Sequence, residues 1–221
     1  HSSDLFLVIL SAAICVAALG FHAIERSLCR WTDSIFYKRR AGYHETLTEM
    51  IRKMNASIEL NSLTNLIVDT IYNEIKAVSM AFYLKGSDQK HFEIVNQHNW
   101  EDISGIGIDD ELVRAIEDKK TVVSKDMLVK FLLRKDLREK HRSFYQHLQQ
   151  HRAEVVIPFY EKDELLGFVL LGRKASGDPF FKEDLRLLEA IGNQAVLGLK
   201  SSRLYEISQN KVKELTTLFE V

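Results

Sequence analysis

The chain has 221 residues and a formal net charge of −1, and its hydrophobic (46%) and charged (28%) fractions are those of an ordinary globular protein, so no overall basic excess favours nucleic-acid binding. Its two cysteines, Cys15 and Cys29, both precede residue 30, which excludes a disulfide framework and a cysteine-based zinc site in the main part of the chain. The chain starts with His1 and ends inside a helical pattern, so we expect it to be a piece of a longer protein.

The first predicted element is an uncharged apolar stretch from Leu5 to Phe21. Its length is close to the roughly 20 residues that span a bilayer. A buried core helix and a signal-peptide core are the alternatives, but the stretch has no polar stripe and follows Asp4 rather than a basic residue. We predict a transmembrane helix over residues 1–22, either alone or as the last of several spans.

A basic segment follows, and residues 23–42 are predicted to form a juxtamembrane linker helix with a short heptad repeat that starts at Ile24. The positive-inside rule then places everything downstream in the cytoplasm. We expect the basic side chains to contact anionic lipid headgroups. They are Arg26, Arg30, Lys38, Arg39 and Arg40.

Residues 43–206 are predicted to form one α+β domain. The charged stretch 126–151 is helical in pattern but has few apolar residues, so we expect a mobile lid or a solvated flank there rather than a core helix. The other early elements are a helix from an Asn61 or Ser62 cap to about Ala77, strands at 78–84 and from Phe92 to Val95, a helix from Asp109 or Asp110 to Glu117, and a short strand at Val122-Val123.

Two apolar runs, Val155 to Tyr160 and Leu165 to Gly172, are separated by a polar turn, which predicts an antiparallel hairpin. Pro158 has no amide proton for a ladder, so it should face a sheet edge or a bulge. A loop and a long amphipathic helix follow, and the helix has apolar residues at three- and four-residue spacing. These are Leu185, Leu188, Ile191, Ala195 and Leu199.

This hairpin, loop and helix resemble the C-terminal half of a GAF domain. The resemblance implies a sensor fold that binds a small molecule or a protein. Counting the predicted strands gives a GAF-like, mostly antiparallel sheet of five or six strands with helices on both faces. The resemblance also implies that the first and last long helices share one face and that the ligand side is the other. The matching residues are Pro158, Gly167, Leu170-Leu171-Gly172, Phe181, Asp184, Gln194-Ala195 and Leu204-Tyr205.

A second, shorter segment is similar to the stretch that joins a multi-span membrane region to a GAF domain in bacterial membrane-bound sensor histidine kinases. It comprises residues 35–40, Tyr43 and Leu47. The resemblance implies a histidine kinase parent in the bacterial inner membrane.

No catalytic motif is visible, since the chain has no GxSxG elbow, P-loop, HExxH or Rossmann fingerprint, and we expect no enzyme activity from it. The cyclic-nucleotide motif of some GAF proteins is also absent, and no cysteine after Cys29 can attach a bilin or act as in the sulfoxide reductases of the family. No cofactor is indicated. His147 and His151 lie four residues apart, where a metal or haem site is a weaker alternative to ordinary surface histidines.

A ligand pocket, if one is present, should be walled by the middle strands and residues 109–151, although each candidate side chain can equally be structural. The candidates are Phe82, Phe92, His98, Trp100, Phe144 and Ile157.

Residues 207–221 are predicted to be an outgoing signalling helix, and its apolar stripe favours a parallel homodimer through this helix and the N-terminal helices. The first hypothesis is a membrane-tethered cytoplasmic sensory module in which a small ligand or partner shifts the register of paired helices. The second is a ligand-free dimerisation and spacing scaffold. An interior filled by aromatic side chains favours the scaffold, whereas a cavity with convergent polar groups favours the sensor.

Overall fold

The computed structural model describes residues 45–54, 59–101, 105–133 and 138–219. The predicted transmembrane segment 1–22 and linker helix 23–42 lie outside the described residues. Within those described ranges, no helix combines the length and the apolar composition that crossing a bilayer requires.

Six strands form one antiparallel sheet in the order β3-β2-β1-β6-β5-β4. The two central strands, β1 and β6, are the most thoroughly buried because helices cover both of their faces. The predicted antiparallel sheet of five or six strands is therefore confirmed. The strands are β1 Met80–Lys85, β2 His91–His98, β3 Ile106–Gly107, β4 Val123–Ser124, β5 Val155–Glu161 and β6 Glu164–Leu171.

The hairpin of β5 and β6 forms where the sequence predicts it, with Lys162 in the left-handed conformation (φ 55°) that closes the tight turn. Within the described residues, β4 pairs only with Val155 and Val156 of β5. The outer side of β5 is thus an open edge at Pro158, which tolerates the missing amide proton.

Three helices pack on one face of the sheet: α1 (residues 45–54), α2 (Leu60–Ile75) and α6 (Lys182–Phe219). Gly198 of α6 lets them approach closely, because a Cβ there would lie only 2.4 Å from Met54 Cε and 2.9 Å from Leu63 Cδ1. The expectation that the first and last long helices share one face is confirmed. The predicted cap of α2 is wrong, since the helix begins at Leu60 and Asn61 lies inside it.

The opposite face carries α3 (Glu111–Lys119), α4 (Lys125–Leu132) and α5 (Arg138–Gln150). Asp110 caps α3 by accepting a hydrogen bond from the Leu112 amide at 2.8 Å, as the sequence predicts. The expected solvated flank is wrong, because Leu128, Phe144 and Leu148 are buried in the core. A few apolar residues on one side of each helix suffice to cover the sheet, although α3 and α5 are polar on average.

Candidate functional site

The candidate ligand residues fall on two different faces of the sheet. Phe82, Val169 and Ile157 form one cross-strand row, and a Cβ on Gly192 of α6 would lie 3.1 Å from Ile157 Cγ2, so this row faces the long helices. Phe92 and Phe144 belong to the core under α3 and α5. Because successive side chains of a strand alternate, the six predicted residues cannot line one pocket.

The face opposite the long helices is occupied by the chain's own aromatic rings. Tyr83 stacks on Phe168 with ring centroids 4.9 Å apart, and Phe92 lies 5.2 Å from the same Phe168 ring. All three side chains are at most 1% exposed. The region in which the resemblance places a ligand is therefore filled at this end by core side chains.

A bulge in β2 places His98 on the face of the sheet opposite to Phe92. Phe82 pairs with Asn96 and Tyr83 pairs with Ile94, so the register skips one residue between them. The shift turns the end of the strand towards α2, where Asn96 Nδ2 donates to Asn65 Oδ1 at 2.6 Å. His98 likewise lies against Tyr72 of α2, with ring centroids 4.5 Å apart.

Trp100 instead lines a cleft of about 770 Å³ at one end of the sheet. The cleft lies where β2 and β6 end and where β1 and β5 begin, and the ends of α4 and α5 complete its wall. Trp100 is 8% exposed, and its buried indole N–H has no hydrogen-bond partner among the described residues. The sequence pointed to this residue, but not to the rest of the wall.

The charged side chains of the cleft are mostly paired. Lys125 Nζ donates to Glu154 Oε1 at 2.9 Å, and Arg152 Nη1 donates to Glu101 Oε2 at 2.5 Å. Arg173 is exposed, and the described residues provide no side-chain partner for its guanidinium. Among the Lys, Arg, Asp and Glu side chains that line the cleft, three are cations and two are carboxylates.

The backbone at the end of α5 places Arg152 in this wall. Arg152 adopts the left-handed conformation (φ 54°), and the next amide, that of Ala153, donates to the Leu148 carbonyl at 2.8 Å. This pattern is the ordinary way to end a helix with a left-handed residue. It turns the chain sharply into β5 and directs the guanidinium towards Glu101.

His147 in the last turn of α5 and His151 just after the helix have different surroundings. His147 Nε2 lies 2.9 Å from Glu111 Oε2, and this hydrogen bond lowers the pKa of the Glu111 carboxyl, with a smaller contribution from Ser143. His151 lines the cleft. Across the described ranges, no three His, Cys, Asp or Glu side chains converge in a way that would hold a metal ion.

The residues that follow Arg173 connect the cleft to both long helices of the opposite face. The Val78 amide donates to the Arg173 carbonyl and the Ala175 amide donates to the Lys76 carbonyl, each at 2.8 Å, so the segment 173–175 is held against the end of α2. We call residues 173–175 the joint.

The joint also holds the start of α6. Lys174 Nζ forms a buried ion pair with Asp184 Oδ2, and the Phe181 amide donates to the same oxygen at 2.8 Å. The ammonium also lies 5.2 Å and 5.3 Å from the ring centroids of Phe180 and Phe181. The sequence marked Asp184 and Phe181 only as features of a resemblance and gave no signal for Lys174.

Comparison with known proteins identifies the type of fold. Residues 59–199 match a family model described as GAF domain. Diguanylate cyclase A of Treponema denticola is 22% identical over 195 residues, which cover 83% of this chain and 50% of the cyclase. The chain thus spans about half the length of the curated relative that it matches.

Solved structures share the fold at low sequence identity. The GAF domain of a Coxiella burnetii phosphoenolpyruvate-protein phosphotransferase is 11% identical, with a TM-score of 0.55 over 75% of this chain and 96% of that one. Residues 122 to 287 of a methyl-accepting chemotaxis protein are 12% identical, with a TM-score of 0.54 over 71% of this chain and 98% of that one. A free methionine-R-sulfoxide reductase from Neisseria meningitidis, solved with its substrate, is 12% identical, with a TM-score of 0.54 over 74% of this chain and 91% of that one.

Proposed function

Because the chain belongs to the GAF domain family of sensory and signalling modules, we propose that it is the relay of a membrane-tethered signalling protein and passes a conformational change through paired α6 helices to an output domain. The observation that carries the proposal is the length of α6, which has 38 residues although the domain covers only its first part. A single helix with an exposed apolar stripe is poorly stable alone and gains stability from a partner.

The exposed part of α6 has the residue spacing of a parallel coiled coil. Tyr205 and Val212 are seven residues apart, and Leu215 follows three residues later, which is the a-to-a and a-to-d spacing. Val212 and Leu215 are 56% and 54% exposed. A second copy of the same helix would cover both side chains, and a rotation or register shift of the pair would carry the signal.

The proposed membrane tether and the proposed class of output domain are both supported by the amino-acid sequence rather than by the described structure. The membrane span is supported by the uncharged stretch Leu5 to Phe21, and a cytoplasmic location of the domain by the basic residues after it. The resemblance to bacterial sensor kinases supports the bacterial inner membrane as the site of the tether. A histidine kinase output is supported by the resemblance in residues 35–47. The curated relative's name supports a diguanylate cyclase as the second output class.

A ligand-free spacer is the second candidate function. It is favoured by the packing of Tyr83, Phe92 and Phe168, which fill the interior beside the sheet. In that case the domain would hold two copies at a fixed distance, and no small molecule would alter the pairing of α6. Ligand-dependent pairing is therefore the property that separates the two functions.

Disulfide cross-linking tests the pairing of α6. In a background with Cys15→Ser and Cys29→Ser, we expect Leu215→Cys to cross-link readily under mild oxidation, because d positions of a parallel pair face each other. Lys213→Cys is the control. Lys213 lies on the same exposed part of α6, but at a b position, which points away from the partner helix. Equal cross-linking at both positions, or none at Leu215→Cys in the whole chain in detergent, would contradict the proposal.

A further inference from the structure

We propose that the cleft beside Trp100 is an effector site for a small organic anion, a molecule with one carboxylate or phosphate group, and that Arg173 binds the anionic group. The site is separate from the filled interior between the sheet and α3 and α5. The effect of the anion on signalling rests on the proposed relay through α6. The binding of the anion to the cleft does not depend on that relay.

Charge decides the class of ligand. Lys125 and Arg152 each have a carboxylate partner in the cleft wall, whereas the Arg173 guanidinium has none within the described residues. A guanidinium offers a planar pair of donors that matches a carboxylate or a phosphate. The cleft therefore presents one uncompensated cation, and the group that complements it is a single anion.

The remaining wall fits an organic body rather than an inorganic ion alone. Ser79, Asn99 and Gln149 supply hydroxyl and amide groups, and Val78, which is 38% exposed, supplies an apolar surface beside Trp100. The volume of about 770 Å³ lies in the range of pockets that hold small molecules. The indole ring of Trp100 adds an aromatic surface to the same wall.

The position of Arg173 gives an anion a route to the signalling helix. Arg173 is the first residue of the joint, and Lys174, the second, holds Asp184 at the start of α6. The carbonyl of Arg173 also receives the amide of Val78, which is itself in the cleft wall. An anion that draws the Arg173 side chain into the cleft therefore acts on the segment from which α6 begins.

Fluorescence of Trp100 tests the binding. The chain has two tryptophans, so Trp31→Phe leaves Trp100 as the only indole in the whole chain, which is kept in detergent. The probes are inorganic phosphate, L-glutamate and adenosine monophosphate at matched ionic strength. We expect a saturable change with at least one organic probe below about 10 mM, a range that detects a Kd near 1 mM.

Matched arginine variants assign the site. We expect Arg173→Gln to weaken binding about tenfold or more, since a charge-assisted hydrogen bond is lost. Arg142→Gln is the control, because Arg142 is exposed on α5 and does not line the cleft, and it should leave the Kd unchanged. No saturable response to any probe, or equal weakening by both variants, would overturn the site.

Cross-linking of Leu215→Cys with and without the bound probe then tests the coupling. We expect the probe to change the cross-linking rate. The double variant Lys174→Met with Asp184→Asn, which leaves no buried charge unpaired, should remove that change while binding remains. If Leu215→Cys cross-links but no probe binds, only the proposed effector site is contradicted. Binding without any α6 cross-linking contradicts only the proposed relay, and binding that leaves the cross-linking rate unchanged overturns the coupling between them.

Discussion

The two halves of α6 use the same kind of apolar pattern for different purposes. In the first half, Leu188, Ile191 and Ala195 are fully buried against the sheet and α2. In the second half, Leu204, Val212 and Leu215 are more than half exposed. The helix does not break between them, although Ser208-Gln209-Asn210 makes the sequence locally polar.

The difference shows that an amphipathic pattern indicates that a partner is needed, but does not identify it. The domain itself covers α6 as far as Leu199 and Ser202. Beyond that point the pattern continues without a cover among the described residues, which is why we assign it to a second copy. Variants that act on one half and leave the other unchanged test this division.

The largest effect is expected at the joint that holds the first half. Lys174→Met leaves the buried Asp184 carboxylate without its cation, which should lower the free energy of unfolding by about 3–5 kcal/mol. Urea unfolding measures the loss. In the double variant with Asp184→Asn the loss should be smaller than the sum of the two single losses, since no buried charge is left unpaired. Strict additivity would show that the two groups do not act as a pair.

Truncations in the two halves should differ in both stability and pairing. Leu188→Ala should cost about 2–4 kcal/mol because it opens a cavity between α6 and the sheet, whereas Leu215→Ala should cost less than about 0.5 kcal/mol. Dimer affinity, measured by sedimentation at several concentrations, should be weakened by Leu215→Ala and left unchanged by Leu188→Ala. A similar stability loss for both variants would mean that the far half also packs on its own domain.

The smallest effect is expected where the halves meet. Lys200 Nζ lies 2.6 Å from Glu161 Oε1, and this contact lowers the pKa of the partly exposed Glu161 carboxyl. The pair thus adds stability above the ordinary carboxyl pKa of about 4.3, and this contribution is lost as the pH falls through the lower pKa of the folded state.

Glu161→Gln should therefore lower the urea midpoint slightly at neutral pH, and the difference from the unmodified chain should vanish in acid. Glu206→Gln is the matched control, because Glu206 is an exposed carboxylate on the same helix α6. A difference that persists at pH 2 would show that the variant acts through packing rather than through charge.

Local patterns predicted the elements that depend on neighbouring residues. Alternation and a polar turn placed the β5–β6 hairpin to within a residue or two, and Asp110 was correctly predicted to cap α3. The family resemblance, carried by residues such as Pro158 and Gly167, supplied the arrangement of the sheet and the long helices. A Cβ on Gly167 would lie 2.3 Å from the Tyr83 carbonyl oxygen, so close packing of β1 and β6 requires a glycine there.

The candidate site depended on contacts that no local pattern contains. The bulge beside Ile94 and Asn96 moved His98 to the helix face, and nothing in the sequence of β2 marks it. Arg173 and Lys174 became important because a strand end, a helix end and a helix start meet there. Single charged residues in a loop have no periodicity, so sequence reasoning had no means of selecting them.

The contact of Gly198 with Met54 and Leu63 has a consequence for how such proteins are assembled. Leu63 lies near the start of α2 and Gly198 near the point where α6 leaves the sheet, whereas Thr46 at the start of α1 donates a hydrogen bond to Glu74 near the end of α2. The described domain therefore begins and ends at opposite poles. In a longer protein, the segments joined to the start of α1 and to the end of α6 would be held about one domain length apart.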